Sequence, residues 1–178
     1  MQLGMIGLGR MGGNMTRRLA DGGHQVVAWD RDADAVHAVA AHGATGAASL
    51  EDLVARLAPP RAVWVMVPSG DATESTIAAL GHLLDPGDAV LDGGNSHYKD
   101  DIRRARTLAA ARIDYLDVGT SGGLWGAERG YCLMIGGEAS PVARLTPIFR
   151  TLAPGMGATP PTEGLDPATT TAHQGFLH

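Results

Sequence analysis

Residues 1–32 read MQLGMIGLGRMGGNMTRRLADGGHQVVAWDRD. An apolar run at 3–6 leads into Gly7-Leu8-Gly9-Arg10-Met11-Gly12. An amphipathic segment follows, and a second apolar run at 26–29 ends on Asp30. The order is strand, glycine turn, helix, strand, acid, which is the βαβ pattern that binds dinucleotides. Gly7 permits a tight turn off the strand. Gly9 has no Cβ, so a pyrophosphate can approach the backbone, and Gly12 lets the helix pack closely on the sheet. The helix N-terminus offers free N–H groups and partial positive charge to phosphates. A carboxylate at Asp30 suits both ribose hydroxyls of NAD and repels a 2′-phosphate. Arg31 is the kind of residue NADP sites use. Asp32 pushes back toward NAD, and it reads equally as the N-cap of the next helix. NAD is the expected cofactor, with NADP the alternative.

The rest of the chain repeats the alternation. Strands are expected at 62–67, 89–91, 113–118 and 131–135. Helices are expected at 33–41, 50–57 (N-capped by Ser49), 72–84, 102–111 and 141–152. Strands alternating with helices predict an α/β, Rossmann-type doubly wound, mainly parallel sheet with helices on both faces. The dinucleotide-binding domain is expected over 1–153. From Pro154 the composition shifts to Pro, Thr, Gly and Ala, so 154–178 reads as loop or extended tail, with 175–178 beginning a further strand.

Composition narrows the function classes. The 178 residues are 44% hydrophobic and carry a formal charge of −5, with no basic run, which argues against nucleic acid. Arg103, Arg104 and Arg106 beside Asp100 and Asp101 read as a solvated helix face. Cys132, the only cysteine, cannot make an internal disulfide; this suits a reducing cytoplasm, and the residue reads as a small buried core position. No stretch is long and apolar enough to imply a membrane span. No metal is implied.

Three more loops fall at strand ends: Val67-Pro68-Ser69-Gly70, Asp92-Gly93-Gly94-Asn95-Ser96-His97, and Gly119-Thr120-Ser121-Gly122-Gly123, the last running into LWGAERG. In doubly wound folds ligands bind beyond the carboxyl ends of strands. Asn95 can donate and accept, and so orient a hydroxyl or a carboxamide; it reads equally as a left-handed turn residue. Ser121 reads as a ligand to a substrate hydroxyl or as a helix cap. His97 reads as an exposed helix-start residue. Trp125 either walls the site or packs.

GLGRMGGN, DGGNS and SGGLWGAERGYCLMIGG resemble the signatures of the β-hydroxyacid dehydrogenases, specifically the 6-phosphogluconate dehydrogenase (decarboxylating) family, over essentially the whole chain. WDRD resembles the shorter, often NAD-using branch of that family. The resemblance implies that Gly7, Leu8, Gly9, Arg10, Met11 and Gly12 hold the pyrophosphate. It implies that Asp30, Arg31 and Asp32 face the ribose, and that Val67, Pro68 and Ser69 lie along the cofactor. Asn95 would lie between nicotinamide and sugar acid, and Ser121, Gly122 and Gly123 would hold the substrate carboxylate and hydroxyls. Pro68 departs from the lysine or alanine common in that loop and removes a donor. The implied substrate is a sugar-acid phosphate, and the implied full-length form is a homo-oligomer with a helical second domain.

The resemblance also assigns proton transfer to a lysine and a glutamate on a helix beyond His178. The only lysine here, Lys99, reads as solvated. No catalytic residue is therefore expected within 1–178, and the chain reads as a truncated enzyme, inactive alone. A stand-alone dinucleotide-binding module and a dehydrogenase of another 3-hydroxy acid are the competing expectations.

Overall fold

The computed structural model describes residues 1–157, 164, 166 and 169–178. β1 (Gln2–Ile6), β2 (Gln25–Trp29), β4 (Ala62–Val65), β5 (Ala89–Asp92) and β6 (Asp114–Ser121) form the parallel part of one sheet, with a two-residue β3 (Thr45–Gly46) at its edge. β7 (Cys132–Gly136) runs antiparallel to β6, and β8 (Phe176–Leu177) lies parallel to β7. The strand order is β3-β2-β1-β4-β5-β6-β7-β8. The doubly wound, mainly parallel sheet is as expected, and the terminal residues do add a strand. Much of the predicted loop after Pro154 falls outside the described residues.

The apolar runs of β1, β4 and β5 are the central strands, buried on both faces. Every residue of β4 and β5 is buried, so neither shows polar alternation. One core layer joins Leu3, Met5 and Trp64 to α1 (Arg10–Asp21), α2 (Ala33–Ala40) and α7 (Ala139–Leu152). The other joins Ile6, Val63 and Val90 to α3 (Leu50–Ala55), α4 (Asp71–Leu83) and α5 (Tyr98–Ala110). Caps start the helices where anticipated. Asp32 accepts the Asp34 N–H at 3.0 Å, and Ser49 accepts the Asp52 N–H at 3.1 Å.

Five expectations need correction. β6 runs on to Ser121 rather than ending at residue 118, and α5 starts at Tyr98 rather than residue 102. β4 stops at Val65 rather than residue 67: the Met66 N–H still reaches the Ile6 carbonyl at 2.7 Å, and Pro68 two residues on has no N–H to carry the ladder further. Cys132 is exposed rather than buried. On β7 only Leu133 and Ile135 face α7, and Cys132 and Met134 point to the other, uncovered face. Arg104 is not part of a solvated helix face: it is 4% exposed and turns inward to buried carboxylates. No helix among the described residues is long and apolar enough to cross a membrane.

Candidate dinucleotide and substrate site

The parallel ladder brings four loops to one sheet edge. Ile6 is in register with Val65, Val65 with Asp92, and Asp92 with Asp117. The loops after β1, β4 and β5 therefore start at one level. β6 continues four residues beyond Asp117 to Ser121, about 13 Å at strand rise. The segment that follows, a 3₁₀ turn (Gly123–Trp125) and α6 (Gly126–Arg129), packs against α1. A cleft of 390 Å³ has Leu8, Gly9, Arg10 and Asn14 on one side and Leu124 on the other.

The glycine turn has a distinct physical reason at each position. Gly7 has φ +88°, and a Cβ there would lie 2.5 Å from the Met66 carbonyl oxygen. At Gly12 a Cβ would lie 1.9 Å from the Gly7 carbonyl oxygen, whereas at Gly9 it would meet nothing within 4 Å. α1 has no side-chain N-cap and no acid in its first turn. Its first intrahelical bond is Gly13 N–H to Gly9 O at 2.8 Å. The N–H groups of Arg10, Met11 and Gly12 therefore have no helical acceptor, and open space lies beside Gly9. That combination fits an anionic pyrophosphate.

Asp30 is already oriented. Its Oδ2 accepts the Leu8 N–H and its Oδ1 accepts the Asp32 N–H at 2.9 Å. The carboxylate thus joins the glycine turn to the end of β2 and keeps lone pairs for further donors. Arg31 is exposed and makes no ion pair among the described residues. Pro68 offers no N–H, but its carbonyl accepts the Thr73 hydroxyl at 2.9 Å and so anchors α4. A Cβ on Gly94 would lie 3.3 Å from the Val67 carbonyl, so the loops after β4 and β5 touch. Ser69 and Asn95 are exposed at this edge.

The loop after β6 divides into two parts. Gly122 and Gly126 are held against a buried tyrosine: Cβ atoms there would lie 2.9 and 2.1 Å from the Tyr131 ring. Gly123, at φ +52°, faces open space, and Ser121 beside it is exposed. Ser121 and Gly123 are therefore open to approach, while Gly122 and Gly126 serve packing. Trp125 does not pack into the core. It is 63% exposed, with the Arg129 guanidinium 5.2 Å from its ring centre.

Sequence reading missed the group beneath the DGGNS loop. Asp92, wholly buried, accepts the Gly94 N–H (3.0 Å), the Ser96 hydroxyl (2.8 Å), the Tyr115 hydroxyl (3.0 Å) and Arg104 Nη1 (3.3 Å). Arg104 also reaches Asp101 and, through Nε at 3.0 Å, Glu74. Arg103, joined by Arg104, holds the Glu74 carboxyl down at about 2. Lys99 is exposed, with Nζ 6.0 Å from the Tyr98 ring centre. His97 caps α5 toward the Lys99 N–H.

A parallel sheet with an uncapped glycine-turn helix, and an oriented acid at the end of β2, defines a Rossmann-type dinucleotide-binding domain. The family model for the NAD binding domain of 6-phosphogluconate dehydrogenase matches residues 2–159, and the chain belongs to that family. It is 51% identical over 155 residues to the 6-phosphogluconate dehydrogenase, NAD(+)-dependent, decarboxylating, of Haloferax volcanii, covering 87% of this chain and 51% of the relative. The decarboxylating enzyme of Treponema pallidum is 43% identical, over 85% of this chain and 32% of its own length. The chain thus spans from about half to about a third of these relatives. Among solved structures, Plasmodium falciparum 6-phosphogluconate dehydrogenase superposes with TM-score 0.83 at 26% identity, over 90% of this chain and 36% of the other. The 3-hydroxyisobutyrate dehydrogenase of Mycobacterium tuberculosis gives 0.80 at 26% identity, over 86% and 52%.

Proposed function

We propose that this chain is the cofactor-binding half of an NAD-preferring, decarboxylating 6-phosphogluconate dehydrogenase. The observation that carries the reading is the convergence, on one sheet edge, of the 7–12 turn, the DGGNS loop and the Ser121–Gly123 end of β6. When bound, the dinucleotide supplies a hydride acceptor. The N–H groups of Arg10, Met11 and Gly12 hold the pyrophosphate, with Gly9 leaving room for it. Asp30 accepts the ribose hydroxyls, and Val67, Pro68 and Ser69 flank the cofactor. Asn95 orients a hydroxyl or carboxamide at the junction with a sugar-acid phosphate, whose carboxylate and hydroxyls meet Ser121, Gly122 and Gly123. The relatives extend beyond the part that this chain spans, and the proton-transferring residues and the oligomer contacts would lie there.

The preference for NAD rests on Asp30. Its carboxylate is fixed by two backbone donors, with Asp32 and Asp34 close by, and a 2′-phosphate would face that charge. The NAD(+)-dependence in the name of the Haloferax volcanii relative agrees with this. In a thermal-shift titration, NAD at one hundred times its Kd should stabilise the chain by about 2.7 kcal/mol. For a domain of this size that is a rise of roughly 5–10 °C. NADP at equal concentration should do less. A larger shift with NADP overturns the preference, and no shift with either overturns the dinucleotide reading.

The purified 178-residue chain should not turn over 6-phosphogluconate. Its one lysine is exposed on the rim rather than buried beside the site, and a lysine base needs its proton affinity lowered by burial or neighbouring charge. Steady NADH or NADPH production by the chain alone would refute this.

A further inference from the structure

The cluster under the DGGNS loop has one hydrogen too few for its contacts. Tyr115, buried on β6, places its hydroxyl 3.0 Å from Asp92 Oδ2 and 2.9 Å from Asp101 Oδ1. A phenol has one hydrogen and can donate to one of the two. Arg104 Nη1 cannot make up the deficit. Its two hydrogens face three acceptors, Asp92 Oδ2, Asp101 Oδ1 and Ser96 Oγ, all at 3.3 Å. With both carboxyls ionised, one contact of about 3 Å would set a carboxylate oxygen against a phenol oxygen with nothing between them. Such a contact is costly in a buried site.

A hydrogen on one carboxyl removes the conflict, and donor supply indicates which. Asp92 receives the Gly94 N–H on Oδ1 and the Ser96 hydroxyl on Oδ2, besides Arg104 and Tyr115. Among the described residues the Asp101 carboxyl is hydrogen-bonded only to Tyr115 and Arg104, both on one oxygen. The better-supplied carboxyl carries the charge.

We propose that Asp101 is a protonated carboxylic acid at neutral pH and donates to Tyr115, which donates to Asp92. Asp101, Tyr115 and Arg104 are thereby positioning residues for the 93–96 loop that bears Asn95. Asp92 holds the loop directly through Gly94 and Ser96. Tyr115 and Arg104 hold Asp92, and Asp101 fixes which way the phenol points. The surroundings agree. Burial is the largest influence on Asp101 and raises its carboxyl above the ordinary range, with Asp92 and Asp100 adding to the effect and Tyr115 and Arg104 opposing it. Burial likewise raises Tyr115, so the phenol keeps its hydrogen. The other charged groups facing the cluster are Glu74, held by Arg103 and Arg104, and Asp117 on β6, which burial also raises. The proposal rests on the dinucleotide reading only for what the loop holds.

The test uses the 178-residue chain without ligand, with side-chain carboxyl carbons followed by NMR against pH. One aspartate signal should sit at the protonated position at neutral pH and vanish in Asp101→Asn. If every aspartate is ionised there, or if the signal survives Asp101→Asn, the proposal fails. Function is read by NADH titration of the same variants. An asparagine can donate to the phenol as the acid does, leaving both Arg104 Nη1 hydrogens for Asp92 and Ser96. Asp101→Asn should therefore keep the parent Kd within about twofold at neutral pH, and Tyr115→Phe and Asp92→Asn should weaken it about tenfold, the loss of one buried hydrogen bond. The parent should also lose affinity as pH rises through the ionisation of Asp101, and Asp101→Asn should not. Equal weakening by Asp101→Asn and Tyr115→Phe overturns the proposal. Failure of the parent to bind NADH counts against the dinucleotide reading, while the carboxyl signal still decides the proton.

Discussion

Gly12→Ala should lower the melting temperature of the chain by roughly 6–12 °C and abolish its response to NAD. The added methyl would stand 1.9 Å from the Gly7 carbonyl oxygen and 3.3 Å from Met66 Cβ. Neither neighbour can yield cheaply. Gly7 is held by its own N–H to the Trp29 carbonyl at 3.0 Å and sits at φ +88°. The helix must lift instead, and Met15 and Leu19, both wholly buried, lift with it. Overpacking of this kind costs about 3 kcal/mol, which gives the stated shift at 2–4 °C per kcal/mol for a domain of about this length. Lifting α1 also moves the free N–H groups off their target. Gly9→Ala separates fold from binding. Its Cβ meets nothing within 4 Å at negative φ, so the melting temperature should stay within about 2 °C of the parent. The NAD response should shrink all the same, because the methyl occupies the space left for phosphate. If Gly12→Ala melts with the parent, the close approach of α1 to the turn is not what holds this part of the fold.

That contrast shows why some of this protein was legible in its sequence. β1, β4 and β5 lie at the centre of a parallel sheet, so burial on both faces turns them into unbroken apolar runs. Helix starts were legible at Asp32 and Ser49 because capping is a local hydrogen bond. The two-residue β3 pairs only with β2 and leaves no periodic trace. On α5 the misreading has a specific cause. Asp101, Arg104 and Leu108 are spaced i, i+3, i+7, a single helical stripe, and all three are buried. Their charge suggested solvent, and the periodicity pointed inward. The partners that make burial tolerable, Asp92 at the end of β5 and Tyr115 on β6, are distant in sequence and meet only through the sheet register. The glycine-rich run after β6 misled in the opposite way. It looked uniform, but Gly122 and Gly126 answer to the Tyr131 ring while Gly123 faces open space. Composition alone carries no sign of that division.

The second large effect belongs to Arg104. Replacing it with methionine should lower the melting temperature by roughly 10 °C, whereas Arg103→Ala, one residue away, should leave it within about 2 °C. Both arginines bind Glu74, at 3.0 Å through Arg104 Nε and 2.7 Å through Arg103 Nη1. They differ in burial, with side-chain exposures of 4% and 53%. Arg103 exchanges one hydrated partner for another. Arg104 is the cation of a dry cluster, and its loss strands Asp92, with no exposure at all, among an acid and a phenol. Breaking a buried ion pair from one side costs about 3–5 kcal/mol. Methionine fills similar volume, so lost packing would not account for a fall that large. Arg104→Lys should fall between the two, because an ammonium cannot fork to Glu74 on one side and to Asp92 and Ser96 on the other. Equal melting of Arg104→Met and Arg103→Ala would mean that Asp92 finds water or shares a proton once the guanidinium is gone. The strands would then hold the DGGNS loop without this cluster. A large difference places the fold's stability and the position of Asn95 on the same buried charge, so this loop could not be retuned for another substrate without loosening the sheet beneath it.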